Sequence, residues 1–240
     1  MIVLHTMHRI GWGLLAPSPF CAKVELFLRI LGLPYEARPT LSTADAPRKK
    51  LPWIEDGGQR VADSENIVTH LRTQAGDPFG EAGIPRERAA LHHLTRRTVE
   101  ESLYFVLVAE RWLDPSLHRA YAADLLRPMP GPARPLVDLM VSRMLRRQLW
   151  EQGTARHPLD EAIGRGVQDL DAVEVALGDA PFFGGERPAA IDASVWGSLA
   201  NLWYIPAESR LKAAVAARPR LVAYLDRVTE RWELKKIVGS

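Results

Sequence analysis

The stretch from Lys50 to Leu71, KLPWIEDGGQRVADSENIVTHL, limits the possible folds more than any other part of the chain. Pro52 opens a short apolar run at Trp53 and Ile54, Gly57-Gly58 forms a turn, a second run spans Arg60 to Ala62, and a helix then begins. Glycine accepts a positive φ without a Cβ clash, so the acidic Gly-Gly pair suits a tight hairpin. Asp63 and Ser64 stand where side-chain oxygens satisfy the first free N–H groups of a helix, and Ile67, Val68 and Leu71 supply its buried stripe. The segment therefore reads as a hairpin feeding a helix whose N-terminus can attract a carboxylate. Taken alone, Pro52 could equally start an edge strand, and Asp63-Ser64 could serve only as a cap.

In this order and spacing, Lys-Leu-Pro, the acidic turn and Asp-Ser at the helix start resemble the glutathione-binding half of a thioredoxin-fold glutathione transferase. The resemblance implies that Pro52 is cis and that the backbone of Leu51 pairs with the cysteinyl part of glutathione. It also implies that Ser64 takes the γ-glutamyl carboxylate, Asp63 takes the ammonium, and Lys50 lies near the glycine carboxylate. A solvated surface role for Lys50 is the plain alternative.

Upstream, Ile2 to Met7 is an apolar, β-branched run that predicts a buried strand. His8 to Pro17, with Trp12 between Gly11 and Gly13, predicts a loop. Ser18-Pro19 then starts a helix with serine at the cap and proline at the first position. Phe20, Val24, Phe27 and Leu31 recur at helical spacing before Gly32, and residues 35–39 suit a second strand. Ser18-Pro19-Phe20-Cys21 resembles the Cys-Pro-Tyr-Cys of glutaredoxins with serine in the first place, which implies that Ser18 contacts the thiol of glutathione. A hydroxyl donating to sulfur beside the positive end of a helix favours thiolate over thiol. Ser18 could also be an N-cap and nothing more. Cys21, one turn further, is either an inert buried residue or a second candidate nucleophile.

Gly76 to Pro85 is rich in glycine and proline and predicts a linker. Beyond it the helical period dominates, and segments 86–112, 137–153, 158–178, 190–203, 208–217 and 219–235 read as helices of a bundle. Five prolines from Pro115 to Pro135 suggest a surface excursion between the first two. The expected architecture is a thioredoxin-like α/β domain over residues 1–77 followed by an all-helical domain over 86–240. Phe182-Phe183-Gly184-Gly185 and Ile191-Asp192-Ala193-Ser194 resemble the transferase segment entering a central buried helix, with Asp192 tied back to its start. Ala189 stands where that motif has a serine or threonine. Over 141–204 the resemblance is to the branch containing metaxin and the failed axon connections proteins.

Charge narrows the partners. The chain has 31 Lys and Arg against 29 Asp and Glu, spread along its length, which leaves no footprint for nucleic acid or an anionic membrane. A single cysteine excludes an intrachain disulfide and fits a reducing compartment. The opening MIVLHTMHRI lacks the form of a secretory signal, and no run of about 18 apolar residues predicts a membrane span, so a cytoplasmic protein is expected. The ending RVTERWELKKIVGS likewise lacks an apolar anchor. His92-His93 are adjacent and point to different helix sides, and no metal-binding spacing occurs. Most tryptophans and tyrosines, including Trp112, Trp150 and Trp203, are expected in the core. Trp12 and Tyr104 are the candidates for walls of a pocket holding a small apolar electrophile. The expectation is thus a glutathione-dependent transferase in which Ser18 stabilises the thiolate, commonly a homodimer in this family. The rivals are a non-catalytic interaction protein of the same fold and a redox protein acting through Cys21.

Overall fold

The computed structural model describes residues 1–10, 16–40, 42–76 and 78–234; Trp12 lies outside the described residues. The first half comprises β1 (Ile2–Thr6), α1 (Pro19–Ile30), β2 (Tyr35–Pro39), β3 (Trp53–Asp56), β4 (Gln59–Ala62) and α2 (Ser64–Ala75). The strands form one sheet in the order β2-β1-β3-β4. β1 and β2 run parallel, which requires the crossover that α1 supplies, whereas β3 is antiparallel to both β1 and β4. Gly57 and Gly58 adopt φ values of 55° and 86°, as a two-residue hairpin turn demands at both central positions. Leu51–Pro52 is cis. This is a thioredoxin-like arrangement, and among the described residues it is followed by helices and a single β-bridge between Phe182 and Gly185.

Those helices are α3 (Arg86–Arg97), α4 (Leu103–Leu113), α5 (Pro115–Leu125), α6 (Arg134–Gln152), α7 (Leu159–Leu177), α8 (Ala190–Trp203), α9 (Arg210–Ala216) and α10 (Pro219–Arg231). The continuous helix expected over 86–112 is interrupted by one π-helical turn, Thr98–Ser102, which joins α3 to α4. The excursion expected after Pro115 is instead largely the helix α5. Asp114 caps it by accepting from the N–H groups of Ser116 and Leu117, and Pro115 occupies its first position, where a missing N–H does no harm. Pro135 likewise falls in the first turn of α6. Trp150, expected in the core, is 57% exposed on α6.

α8 is the buried axis of the molecule, with every residue from Ile191 to Leu202 buried. Its most extensive packing is against α1. Gly197 permits that approach: a Cβ there would lie 2.6 Å from the Pro19 carbonyl oxygen and 3.0 Å from the Lys23 nitrogen. Asp192 ties the helix entry together, its carboxylate accepting from the N–H groups of Ala189 (2.8 Å), Phe183 (2.9 Å) and Gly184 (3.2 Å). Ala189 has no side-chain acceptor, so only the aspartate half of a capping box is present.

Candidate active site

Two neighbouring hollows lie where α1 meets the helical half. The larger, about 360 Å³, brings together Lys50, Leu51, Pro52, Asp63 and Ser64. The hairpin sets this geometry: β3 and β4 place Pro52 and Asp63 at the same end of the sheet, where Trp53 pairs with Ala62. Asp63 sits at φ 81°, an uncommon value for a non-glycine residue, and caps α2 with one carboxylate oxygen, Oδ1, which accepts from Glu65 N (3.0 Å) and Asn66 N (3.4 Å). Its Oδ2 carries no hydrogen bond from the described residues. Ser64 is the first helical residue and does not share the capping; its hydroxyl is without a partner among the described residues although the residue is buried. The second carboxylate oxygen of Asp63 and the Ser64 hydroxyl thus stand side by side at a helix N-terminus, neither used by the cap.

The smaller hollow, about 190 Å³, is mostly apolar and contains Ser18, Pro19, Tyr104, Leu107, Trp112 and Val141 in its wall. Ser18 is the N-cap of α1: its Oγ accepts from Cys21 N at 3.5 Å. Capping uses a lone pair of the oxygen and does not consume the O–H proton. Phe20 lines the larger hollow and packs its ring on Tyr104 of the smaller, with centroids 4.8 Å apart. The Tyr104 hydroxyl has no hydrogen-bond partner among the described residues. Burial pushes its pKa up, so it stays a neutral donor. Cys21 is fully buried, and burial drives its thiol above the ordinary range, the wrong direction for a nucleophile.

Charged residues that the motif reading did not single out complete the larger hollow: Arg48, Glu65, Arg96, Arg97, Glu100 and Glu101. Beside them Lys23, 1% exposed on α1, donates to Glu65 (2.8 Å) and Glu100 (2.7 Å), and Arg96 reaches Glu65 from α3. Burial raises the Glu65 pKa, but Lys23 and Arg96 outweigh it and hold the carboxyl below its ordinary value. The pairs Arg96-Arg97 and Glu100-Glu101 were visible as charges. The π turn that brings the second pair toward α1 leaves no mark in a 3.6-residue pattern. His92 donates from Nε2 to the Phe183 carbonyl while His93 Nδ1 accepts from Arg96, so the two diverge.

Family models describe this architecture. The glutathione S-transferase N-terminal domain matches residues 19–117, and the glutathione S-transferase C-terminal domain matches 166–228. Among curated relatives, the isoprene-epoxide–glutathione S-transferase of Rhodococcus sp. (strain AD45) is 28% identical over 93% of this chain and 96% of its own length. Failed axon connections of Drosophila melanogaster is 24% identical over 89% of this chain, which spans only 54% of that protein. Metaxin-2 of Homo sapiens is 22% identical over 91% of this chain and 84% of its own length. A glutathione transferase family member from Pseudomonas fluorescens pf-5, solved with two glutathione bound, superposes with a TM-score of 0.62 at 17% identity, covering 99% of this chain and 92% of that one.

Proposed function

The chain belongs to the glutathione transferase superfamily, with metaxin and failed axon connections among its relatives, and we propose that it joins glutathione to a compact apolar electrophile. The observation that carries this reading is the convergence of Lys50, the cis Leu51–Pro52 bond, Asp63 and Ser64 in one hollow next to the one holding Ser18. The backbone N–H and C=O of Leu51 form no hydrogen bond with the described residues, as pairing with a peptide ligand requires. Asp63 Oδ2 takes the γ-glutamyl ammonium, Ser64 and the N-terminus of α2 take its carboxylate, and Lys50 takes the glycine carboxylate. Ser18 donates to the sulfur at the N-terminus of α1 and favours the thiolate.

The electrophile lies between Ser18 and Tyr104. A cavity of roughly 150 Å³ holds benzene, so about 190 Å³ suits a small ring or a short branched chain. A small epoxide fits this space, and the Rhodococcus relative is named for such a substrate. The thiolate forms a C–S bond as one C–O bond breaks, and the electron pair stays on the oxygen. That oxygen takes a proton from Tyr104, which water reprotonates. Residues 1–77 are read as the glutathione-binding domain and 86–240 as the helical domain. The setting is the cytoplasm and the assembly a homodimer, for which Leu91 and Leu94 on α3 offer exposed apolar surface. Light scattering gives its mass.

Retention on immobilised glutathione, followed by turnover of a C4–C6 epoxide, tests the reading. Ser18→Ala should lower kcat by about 10²-fold while retention persists. Failure of the wild type to bind glutathione, or an unaltered kcat in Ser18→Ala, overturns it. The alternative is a transferase fold kept for docking another protein, which the likeness to failed axon connections and metaxin-2 supports. It predicts a folded chain without turnover.

A further inference from the structure

The backbone just before Ser18 is gripped from the helical half of the molecule. Arg111 on α4 donates from Nη1 to the Pro17 carbonyl at 3.1 Å. The Tyr121 hydroxyl on α5 donates to the same oxygen, also at 3.1 Å. Asn201 on α8 donates from Nδ2 to the Ala16 carbonyl at 3.3 Å, and its own carbonyl and Oδ1 accept from Arg111 Nη2. The Arg111 guanidinium stacks on the Tyr121 ring 4.7 Å from its centroid. All three side chains are at least nine-tenths buried.

A buried arginine ordinarily faces a carboxylate. Among the described residues no carboxylate pairs with Arg111; its donors go to main-chain carbonyls and to Asn201. The grip lands on residues whose freedom is already small. Pro17 and Pro19 flank Ser18, and a residue before proline is confined to extended backbone, which Ser18 adopts at φ −120°, ψ 124°. With the Pro17 carbonyl held twice and the Ala16 carbonyl once, little rotation remains to the backbone from which the Ser18 hydroxyl projects. Arg111 and Tyr121 also line the smaller hollow beside Ser18, so one pair of side chains forms both the clamp and part of the electrophile's wall.

We propose that Arg111, Tyr121 and Asn201 are positioning residues that hold the Ser18 hydroxyl in register with the glutathione sulfur, so that the helical half sets the strength of thiolate stabilisation. This rests on the function proposed above. A displacement of about 1 Å at a reacting group can cost 10²-fold in rate, so a clamp acting on the adjacent residue has leverage that its own distance from the sulfur would not suggest.

Tyr121→Phe removes one donor to Pro17 and keeps the ring under Arg111. In this variant kcat should fall about three- to tenfold, as loss of one hydrogen bond implies, and the pKa of the bound glutathione thiol, read from thiolate absorbance, should rise. Glutathione affinity should stay within twofold, since its carboxylates lie in the other hollow. In a Ser18→Ala background the same change should leave kcat nearly unaltered, because the clamp acts only through the hydroxyl already removed. Arg111→Lys, carried through the same cycle, should behave alike if it folds. Amide hydrogen exchange at Ser18, Phe20 and Cys21 should quicken in Tyr121→Phe, a readout that needs no glutathione. An equal loss of kcat with and without Ser18, or an unmoved thiol pKa with unmoved exchange, overturns the clamp while leaving the transferase reading intact. A wild type that binds no glutathione overturns both.

Discussion

Lys23 Nζ and Glu100 Oε1 lie 2.7 Å apart, and this bond joins the thioredoxin-like half to the helical half through an ammonium almost wholly sealed from solvent. A buried charge is tolerable only while its partners remain. Lys23→Met would bury an apolar chain of similar length but leave Glu100 and Glu65 short of a cation. Because Arg96 still compensates Glu65, the expected loss is about 2–4 kcal/mol, read as a lower urea midpoint with unchanged slope. A midpoint within error of the wild type would show that the network contributes nothing net.

Acid should loosen the same junction. The Glu65 carboxyl is held below the ordinary glutamate value of 4.5, so the folded chain binds fewer protons than the unfolded one as pH falls past that value. The stability from its pairs is complete above 4.5 and is lost as pH drops toward the depressed folded value. Asp56, lowered by its hydrogen bond from His70, adds a slope of the same sign below 3.8. The Glu65 contribution, read as the urea-midpoint difference between the wild type and Glu65→Gln, should be level from pH 7 to about 5.5 and shrink below 4.5, whereas His5 and His8, lowered from 6.5 by burial, reduce the midpoints of both proteins as pH falls through 6.5. Added salt should shrink that contribution, because Glu65 is 41% exposed in its side chain.

Gly197→Ala tests how closely α1 and α8 pack. The new methyl would meet the Pro19 carbonyl oxygen and the Lys23 nitrogen, both main-chain atoms that cannot rotate aside. A loss of about 1–3 kcal/mol or more is expected despite alanine's better helix propensity. Thermal denaturation decides it, and a rise in midpoint would mean that the helices separate at no cost.

Cys21 should be silent toward alkylation in the native protein. Its thiol is fully buried and burial raises its pKa, so both access and thiolate fraction are small. Iodoacetamide at pH 7.5 should label it orders of magnitude more slowly than in guanidinium. Rapid native labelling with parallel loss of activity would revive the redox reading.

The hairpin, the cap of α1 and the entry to α8 were legible in the sequence because each is a local pattern: turn glycines, Ser-Pro, and Asp192 at the third position of the helix. Asp63-Ser64 was half legible. Pattern places both at the α2 start, but only geometry shows that one oxygen of Asp63 does the capping and leaves Ser64 free. The α5 helix was hidden by its prolines, since Pro115 reads as a breaker until Asp114 is recognised as its cap. Lys23 was illegible for a different reason. Its burial depends on Glu65 and Glu100, 42 and 77 residues away, and no local signal marks a lysine for the interior.

The π turn at Thr98–Ser102 holds one residue more than a regular helix would use to travel the same path. Every side chain downstream on α4 is therefore phased by that surplus residue, Tyr104, Leu107 and Arg111 among them. Excising a single residue there would restore an unbroken helix with these three facing as they do now, whereas relaxing the turn to regular α-helix with its residue count unchanged would swing them by ~100° around the axis, turning the hydroxyl and the guanidinium away from Ser18. A chain so relaxed would keep its helical circular dichroism while losing both the wall of the smaller hollow and the grip on Pro17, so the frame around Ser18 hangs on a count of residues as much as on their kind.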